Sequence, residues 1–211
     1  MTSSDHSSQP SLFTSIEPLD LPNTDIVIHR SLFDGEEASD HFDGLLSETK
    51  WTQETIQMFG KITNIPRLTA WYGDEDKPYT YSGIQMLPLP WTQRLHTIKA
   101  RVESISQTVF NSVLLNQYRD GNDSVDWHAD DEPELGSNPV IGSVSFGGTR
   151  DFKFRNKDDK SGDTQTTKTV ELRHGDVLLM SGETQRFWNH QIPKRAKAEP
   201  RINLTFRTIY T

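Results

Sequence analysis

The chain has 211 residues, of which 33% are hydrophobic, and no cysteine; this suits one domain with a sizeable core and excludes disulfides and thiolate metal sites. The net charge of −8 arises entirely from residues 1–50, which hold 10 acidic and 2 basic residues, so the acidity does not exclude a nucleic-acid partner for the neutral remainder. The sequence has neither a membrane-length apolar run nor a signal peptide. We therefore expect a soluble monomer without a membrane partner, cytoplasmic or, in a eukaryote, nuclear.

The start of the chain differs in composition from the rest. Residues 1–22 are rich in Ser, Thr and Pro, which predicts a disordered tail before a single domain at 23–211. Within this tail, residues 9–13 resemble the short peptide that docks replication proteins onto the bacterial sliding clamp. Gln9 begins this peptide, and Leu12 and Phe13 would supply its apolar anchors. The alternative is a disordered leader without a partner.

Hydrophobic periodicity predicts the secondary structure of the domain. A short strand at 25–29 is followed by two amphipathic helices, at 34–50 and 90–107. After the second helix the period changes to two, and turns containing Gly, Asp or Pro separate seven predicted strands, at 113–118, 140–146, 151–155, 166–172, 177–180, 187–191 and 201–210. Many short strands in series are typical of a sandwich or jelly roll, so the expected fold class is α+β and mainly β.

Aromatic and basic residues interleave between about 52 and 85. The stretch carries Phe59 beside Lys61, then Arg67, and then Tyr79 and Tyr81. Aromatic rings on turns can stack on bases while basic groups contact phosphates, and a Phe at a hairpin tip can wedge into a base stack. The alternative is a hydrophobic hairpin whose aromatic rings pack inward.

His128 and Asp130 form the strongest chemical signal near the middle of the chain. In an extended segment, side chains two residues apart leave the same face, so this spacing presents an imidazole and a carboxylate together. They are two of the three ligands in the 2-His-1-carboxylate triad that binds Fe(II). For the third ligand, His190 lies in a strand-like segment, whereas His174 opens a His-Gly-Asp turn that favours a structural role. The alternative is a solvated acidic turn.

The chain ends with a strict alternation of polar and apolar residues at 201–207. On a strand, Ile202, Leu204 and Phe206 would enter the core, and the opposite face would carry the four polar residues, Arg201, Asn203, Thr205 and Arg207. Two arginines on an inner face are costly unless anions meet them, and a dicarboxylate cosubstrate beside the metal would supply two such groups. The alternative is a solvent-exposed face with ordinary surface charges.

These motifs together resemble the AlkB family of Fe(II)- and 2-oxoglutarate-dependent dioxygenases. The resemblance runs from about Met58 to the end and includes, in order, Asn116-Gln117-Tyr118, Asp120-Gly121, His128-x-Asp130, His174-Gly175-Asp176, a later histidine and Arg201 to Arg207. It implies a double-stranded β-helix, or jelly roll, with flanking N-terminal helices, a nucleotide-recognition lid at about 52–85 and a core at about 112–211.

The resemblance also implies a set of ligands. Iron would be held by His128, Asp130 and His190, and 2-oxoglutarate would contact Asn116, Tyr118, Arg201, Asn203 and Arg207. Within that second set, Arg201 would bind the distal carboxylate and Arg207 would lie near the metal. With O₂, the enzyme would hydroxylate an N-methyl group on a base such as 1-methyladenine or 3-methylcytosine, releasing formaldehyde, succinate and CO₂.

The implied substrate is alkylated DNA. The lid is most similar to that of the subgroup that repairs duplex DNA, in which the residues matching Met58, Phe59 and Gly60 form an intercalating finger and those matching Arg67, Tyr79, Tyr81 and Ser82 line the flipped-base site. Tyr81 and His128 would sandwich the base, and Asp131 and Glu132 would favour a cationic one unless they are solvated surface carboxylates. The alternatives are an RNA or tRNA demethylase or hydroxylase of the same mechanism, and an inactive nucleic-acid-binding module.

Overall fold

A computed structural model of the protein describes residues 15–58, 60–75, 79–81, 84–159 and 167–210. The predicted clamp-binding residues 9–13 lie outside these ranges. The helices of the described chain are α1 (Gly35–Glu48), α2 (Gln93–Ser106) and the short α3 (Thr184–Phe187). None of them is long and apolar enough to cross a membrane.

The strands of the described chain are, in order, β1 (Ile16–Pro18), β2 (Asp25–His29), β3 (Thr55–Met58), β4 (Lys61–Asn64), β5 (Leu68–Gly73), β6 (Tyr79–Tyr81), β7 (Ile84–Met86), β8 (Ser112–Tyr118), β9 (Val125–His128), β10 (Ile141–Gly147), β11 (Arg150–Asn156), β12 (Thr167–Leu172), β13 (Val177–Ser181), β14 (Trp188–Ile192) and β15 (Arg201–Arg207). A larger sheet has seven strands in the order β1-β2-β13-β10-β15-β8-β5, and a smaller sheet has four in the order β12-β11-β14-β9. The strand pairs in both sheets are antiparallel.

The two sheets pack face to face around a common hydrophobic cluster. Leu114 and Leu178 of the larger sheet meet Phe154 and Ile192 of the smaller sheet in this cluster. Burying one face of each sheet against the other is the architecture of a β-sandwich or jelly roll. The prediction of a mainly β jelly roll with flanking helices is confirmed.

The larger sheet is buried on its other face as well. There, Ile202, Leu204 and Phe206 of β15 pack with Ala38 of α1 and Leu95 of α2 in a second cluster. All seven residues of β15 are buried, so the polar face of this strand looks into the space between the two sheets. The alternative of a solvent-exposed polar face at 201–207 is thereby excluded.

Both long helices begin at a side-chain cap. The carboxylate of Asp34 accepts hydrogen bonds from the backbone N–H groups of Glu36 and Glu37, and the Thr92 hydroxyl caps the start of α2. Such caps satisfy backbone donors that have no partner inside the helix. The two predicted helices are confirmed, and their ends differ from the predicted ones by three residues or fewer.

Two predicted boundaries are wrong. Ile16–Pro18 pairs with β2 at the edge of the larger sheet, so a disordered tail does not extend to residue 22. Leu68–Gly73 is a buried strand that pairs with β8. Part of the stretch assigned to the lid therefore belongs to the jelly roll, which begins well before residue 112.

Candidate metal and cosubstrate site

The three predicted metal ligands converge between the sheets. His128 ends β9 and lies directly opposite His190 on β14, while Asp130 follows β9 by two residues. One ligand atom from each residue lies within 4.8 Å of the other two, and the His190 Nε2 atom is 3.8 Å from Asp130 Oδ2. A single ion can therefore touch all three, and His174, which accepts a hydrogen bond from the Gly147 N–H at 2.8 Å, is a structural residue.

Neighbouring groups hold the two histidine rings in place. The Nδ1 atom of His128 is 2.7 Å from the carbonyl oxygen of Asp126. Because a carbonyl can only accept, Nδ1 carries the proton and Nε2 is left as the ligand atom. The ring of Phe152 stacks on the ring of His190 with centroids 5.1 Å apart and an interplanar angle of 16°. Both imidazoles are thus oriented before any ion binds.

The charge states of the ligands also suit a cation. Burial raises the pKa of the Asp130 carboxyl, but Arg207, His190 and His128 outweigh this effect and lower the pKa to about 2. Burial lowers the pKa of His190 to about 3, and repulsion from His128 adds to the effect. At neutral pH the site therefore presents a carboxylate and a neutral imidazole, as metal binding requires.

Two contacts fix Asp130 itself. The Nη2 atom of Arg207 donates to Asp130 Oδ1 at 2.6 Å, so the guanidinium of this β15 residue forms an ion pair with a predicted metal ligand. The backbone N–H of Asp130 donates to the side-chain oxygen of Gln185 at 2.9 Å. One carboxylate oxygen is thereby engaged by Arg207, and the other, Oδ2, faces His190.

The predicted cosubstrate residues lie on two adjacent strands of the larger sheet. Arg201 is paired with Tyr118, and Asn203 with Asn116, in the register of β15 and β8. A cavity between the sheets is lined by His128, Asp130 and His190 and by four members of this set, Asn116, Tyr118, Asn203 and Arg207. The structure therefore brings the metal ligands and most of the cosubstrate candidates to one cavity.

Arg201, the fifth member of the set, is 0% exposed and is not among the residues that line this cavity. Its Nη2 atom donates to the Ser145 hydroxyl at 2.9 Å, whereas Nε and Nη1 have no hydrogen-bond partner among the described residues. Burial lowers the pKa of Arg201 to about 10, and the positive charge of Arg150 lowers it as well. A buried guanidinium with unused donors is chemically suited to receive a carboxylate.

Asn116 and Asn203 are engaged in different ways. The Oδ1 atom of Asn116 accepts from Arg67 Nε at 2.7 Å, which turns the donor end of this amide away from Arg67. The Nδ2 atom of Asn203 donates to the Ser143 hydroxyl at 2.8 Å and to the Val144 carbonyl at 2.9 Å. Asn203 therefore ties β15 to β10, whereas the Nδ2 donor of Asn116 has no hydrogen-bond partner among the described residues.

The substrate candidates are only partly placed. Phe59 and Ser82 lie outside the described residues, and for Tyr79 and Tyr81 the structure describes the backbone of β6 but no side chain. Arg67 is buried and lines the cavity beside the metal ligands.

The two acidic candidates occupy different environments. Asp131 is an exposed carboxylate that pairs with Lys157 at 2.7 Å. The Oε2 atom of Glu132 is buried and has no hydrogen-bond partner in the described chain. This geometry favours Glu132 over Asp131 as the residue that receives a donor from a ligand.

Several contributing residues were missing from the predicted site. Ser143 and Ser145 of β10 lie opposite Thr205 and Asn203, and the alternation of serine with apolar residues on a buried strand was a signal for them. Alternation with Phe152 and Phe154 was a signal that Arg150 is buried, but the partners of Gln185 and Arg150 had no local signal, because they come from distant parts of the chain.

Comparison with known proteins agrees with this geometry. Residues 25–207 match the model of the 2OG-Fe(II) oxygenase superfamily. The chain is 45% identical over 191 residues to mouse (Mus musculus) alpha-ketoglutarate-dependent dioxygenase alkB homolog 3, covering 88% of this chain and 66% of that protein. It is 40% identical over 185 residues to human (Homo sapiens) DNA oxidative demethylase ALKBH2, covering 84% of this chain and 71% of that protein.

The chain spans about two thirds of the length of the alkB homolog 3 proteins that it matches. Among solved structures, OsALKBH1 superimposes with a TM-score of 0.61 over 92% of this chain and 100% of that one; at 16% identity this likeness concerns the fold alone. The His-Asp-His site and the superfamily match support the use of Fe(II) and 2-oxoglutarate. On the strength of these matches, the chain belongs to the AlkB family of the 2OG-Fe(II) oxygenase superfamily.

Proposed function

We propose that this protein is an Fe(II)- and 2-oxoglutarate-dependent dioxygenase that demethylates alkylated bases, such as 1-methyladenine and 3-methylcytosine, in DNA. The products would be the repaired base, formaldehyde, succinate and CO₂. The observation that carries the proposal is the shared cavity, in which His128, Asp130 and His190 face the polar side of β15. The names of the alkB homolog 3 and ALKBH2 relatives support the reaction type and the nucleic-acid substrate.

When bound, Fe(II) together with 2-oxoglutarate and O₂ would supply the oxidising power that converts an N-methyl group into an unstable hydroxymethyl group. The chain itself provides orientation and exclusion of water. Arg207 keeps Asp130 ionised and fixed, and Arg201 offers a buried cation to a carboxylate. Apolar walls such as Phe152 and Ile192 line the same cavity, so ordered water has few partners on that side.

The substrate base would enter this cavity after leaving the duplex, since the methyl group must come within reach of the iron. We assign Arg67 to the base site because it lines the cavity and is fastened to Asn116. Glu132 would receive a cationic base through its buried oxygen. Tyr79, Tyr81 and Ser82 would complete the base site, and Phe59 would fill the gap in the stack.

A direct assay tests the proposal. Oligonucleotides carrying 1-methyladenine or 3-methylcytosine, as duplex DNA, single-stranded DNA and RNA, are incubated with Fe(II), ascorbate and 2-oxoglutarate and analysed by mass spectrometry. We expect a loss of 14 Da per methyl group in DNA, with at least one succinate formed per methyl group removed and no change for Asp130→Ala. Faster demethylation of RNA would mean that RNA is the substrate, and absence of demethylation on all three nucleic acids would overturn the proposed function.

Binding of the peptide 9–13 to a sliding clamp is a separate proposal, testable by calorimetry with Leu12→Ala and Phe13→Ala.

A further inference from the structure

Arg150 is a buried cation outside the predicted site. It begins β11, is 1% exposed, and is among the largest fully buried side chains of the protein. Its guanidinium donates to three backbone carbonyl oxygens, at Pro193 (2.6 Å), Asp123 (2.9 Å) and Asp120 (3.3 Å). Within the described chain it forms no ion pair with a carboxylate. Burial lowers the pKa of Arg150, although the nearby carboxylates of Asp123 and Asp151 act to raise it; a buried charge without a direct ion pair is costly and calls for a reason.

The three carbonyls belong to two loops with a shared function. The loop at 119–124 connects β8, which carries Tyr118, to β9, which carries His128. The loop at 193–200 connects β14, which carries His190, to β15, which begins with Arg201. Each loop thus connects a strand that carries a metal ligand to a strand that carries predicted cosubstrate residues. Arg150 binds carbonyl groups of both loops and so holds them together.

Packing between the loops is close. The backbone N–H of Arg195 donates to the Gly121 carbonyl at 2.8 Å, and a Cβ atom at Gly121 would collide with the Arg195 carbonyl oxygen. Only glycine fits there, so the loops approach each other as closely as backbone allows. Arg150 therefore occupies a place whose geometry is tightly defined.

Arg150 also lies near the buried charge of Arg201. The Cζ atom of Arg150 is 5.5 Å from the centroid of the Tyr118 ring, and the Cζ atom of Arg201 is 5.3 Å from the same centroid. The two guanidinium centres are therefore at most about 11 Å apart. Like Arg150, Arg201 has no carboxylate partner in an ion pair among the described residues. An anion bound to Arg201 would be attracted by both charges.

We propose that Arg150 is a positioning residue that selects a 2-oxo acid with a second carboxylate. This inference rests on the proposed use of 2-oxoglutarate. With the distal carboxylate on Arg201, a second guanidinium whose centre is at most about 11 Å from that of Arg201 contributes, in surroundings of intermediate dielectric, roughly a tenfold preference for the dicarboxylate, or about 1.4 kcal/mol. A 2-oxo acid without the second carboxylate would gain nothing from it.

Calorimetric titration tests this with two acids that differ only in that group. The Mn(II)-loaded protein is titrated with 2-oxoglutarate and with 2-oxopentanoate, so that binding is measured without turnover. In Arg150→Met we expect about tenfold weaker binding of 2-oxoglutarate and less than a twofold change for 2-oxopentanoate. Arg150→Lys keeps the charge and should stay within about threefold of the unaltered protein for both acids. If Arg150→Met does not fold, Arg150→Gln, which can still donate to a carbonyl, takes its place.

The remaining outcomes separate the possible errors. Equal losses for both acids would mean that Arg150 only supports the fold, and an unchanged affinity for 2-oxoglutarate would remove it from the site altogether; either result overturns the inference and leaves the proposed function standing. If the unaltered protein binds no 2-oxoglutarate, the proposed function fails, and the inference fails with it.

Discussion

The two ends of the site balance their buried charge in different ways. At the metal end, Asp130 and Arg207 meet at 2.6 Å, and burial keeps His190 neutral. At the cosubstrate end, two nitrogens of Arg201 have no hydrogen-bond partner in the described chain, and Arg150 donates only to carbonyl oxygens. The charges of Asp130 and Arg207 are therefore paired within the protein. The guanidinium groups of Arg201 and Arg150, by contrast, form no ion pair with a carboxylate in the described chain.

This contrast separates residues that stabilise the ligand-free protein from residues that bind the ligand. Arg207 and Arg201 lie on one strand, six residues apart, which is roughly 20 Å along a strand. Removing Asp130 at the metal end takes the bonded carboxylate away from a buried guanidinium, so we expect the fold to lose stability. Removing the cation at the cosubstrate end relieves an existing cost, so only ligand binding suffers.

The largest effect is expected at Asp130. Asp130→Ala should abolish 2-oxoglutarate turnover and also lower the free energy of unfolding by about 3–5 kcal/mol, because Arg207 is left buried without its carboxylate. Urea denaturation measures the second effect. Arg207→Met in the Asp130→Ala background removes the orphaned charge and should restore most of the stability without restoring activity. Full turnover in Asp130→Ala would contradict the metal assignment, and unchanged stability would contradict the charge balance.

Arg201 should behave in the opposite way. Arg201→Lys keeps a charge but loses the bidentate fork, so the KM for 2-oxoglutarate should rise about tenfold or more while kcat changes less. Arg201→Met should leave the ligand-free protein at least as stable as before, since a buried cation without a carboxylate partner is replaced by an apolar side chain. A KM that stays unchanged in Arg201→Lys would place the distal carboxylate elsewhere.

The two ends should also differ in their response to pH when metal is absent. The unfolded His190 ring binds a proton near pH 6.5, but the folded ring does so only near pH 3. The unfolded state therefore holds more protons between these values, and stability should fall as the pH decreases, by about 1.4 kcal/mol per unit from this group. Arg201, with a pKa of about 10, keeps its proton in both states below pH 8 and adds no slope.

Urea denaturation in the presence of EDTA at pH 7, 6 and 5 measures this difference. His190→Gln should flatten the decline relative to the unaltered protein, while Arg201→Met should leave its slope unchanged. Because His29 and His41 also have pKa values lowered by burial, some decline should remain in His190→Gln. Identical slopes in that variant and the unaltered protein would show that His190 is not protected from protonation.

Much of the site was predictable because its residues follow local patterns. The spacing of His128 and Asp130 and the alternation at 201–207 each depend on a strand that presents every second side chain to one face. The same rule failed for Leu68–Gly73, because that strand has buried residues on both faces and shows no alternation. Its aromatic residues were therefore attributed to the lid.

Other features could not be predicted from a local pattern. Alternation places Arg150 on the buried face of β11 with Phe152 and Phe154, but nothing in the sequence indicates what it binds, because its partners are backbone carbonyls in two loops that come together only in the folded state. The strand Ile16–Pro18 was missed because all three of its residues are exposed, so it carries no hydrophobic pattern. Long-range contacts that use backbone groups leave no mark in residue type.

The smallest effects should distinguish the two carboxylates that follow Asp130. Glu132 has a buried oxygen without a hydrogen-bond partner in the described chain, whereas Asp131 is exposed and paired with Lys157. Surface ion pairs contribute at most about 1 kcal/mol, which corresponds to about fivefold, so Asp131→Asn should change kcat/KM for 3-methylcytosine in DNA by less than about fivefold.

Glu132→Gln keeps the shape of the side chain but removes the charge that would meet a cationic base. We expect about a tenfold loss of kcat/KM on 3-methylcytosine, since a charge-assisted hydrogen bond is roughly twice as strong as a neutral one. Succinate formation in the absence of DNA should be unchanged, because this residue does not bind the cosubstrate. Equal small effects of both variants would remove the acidic pair from the base site, and a larger loss for Asp131→Asn would return the role to Asp131.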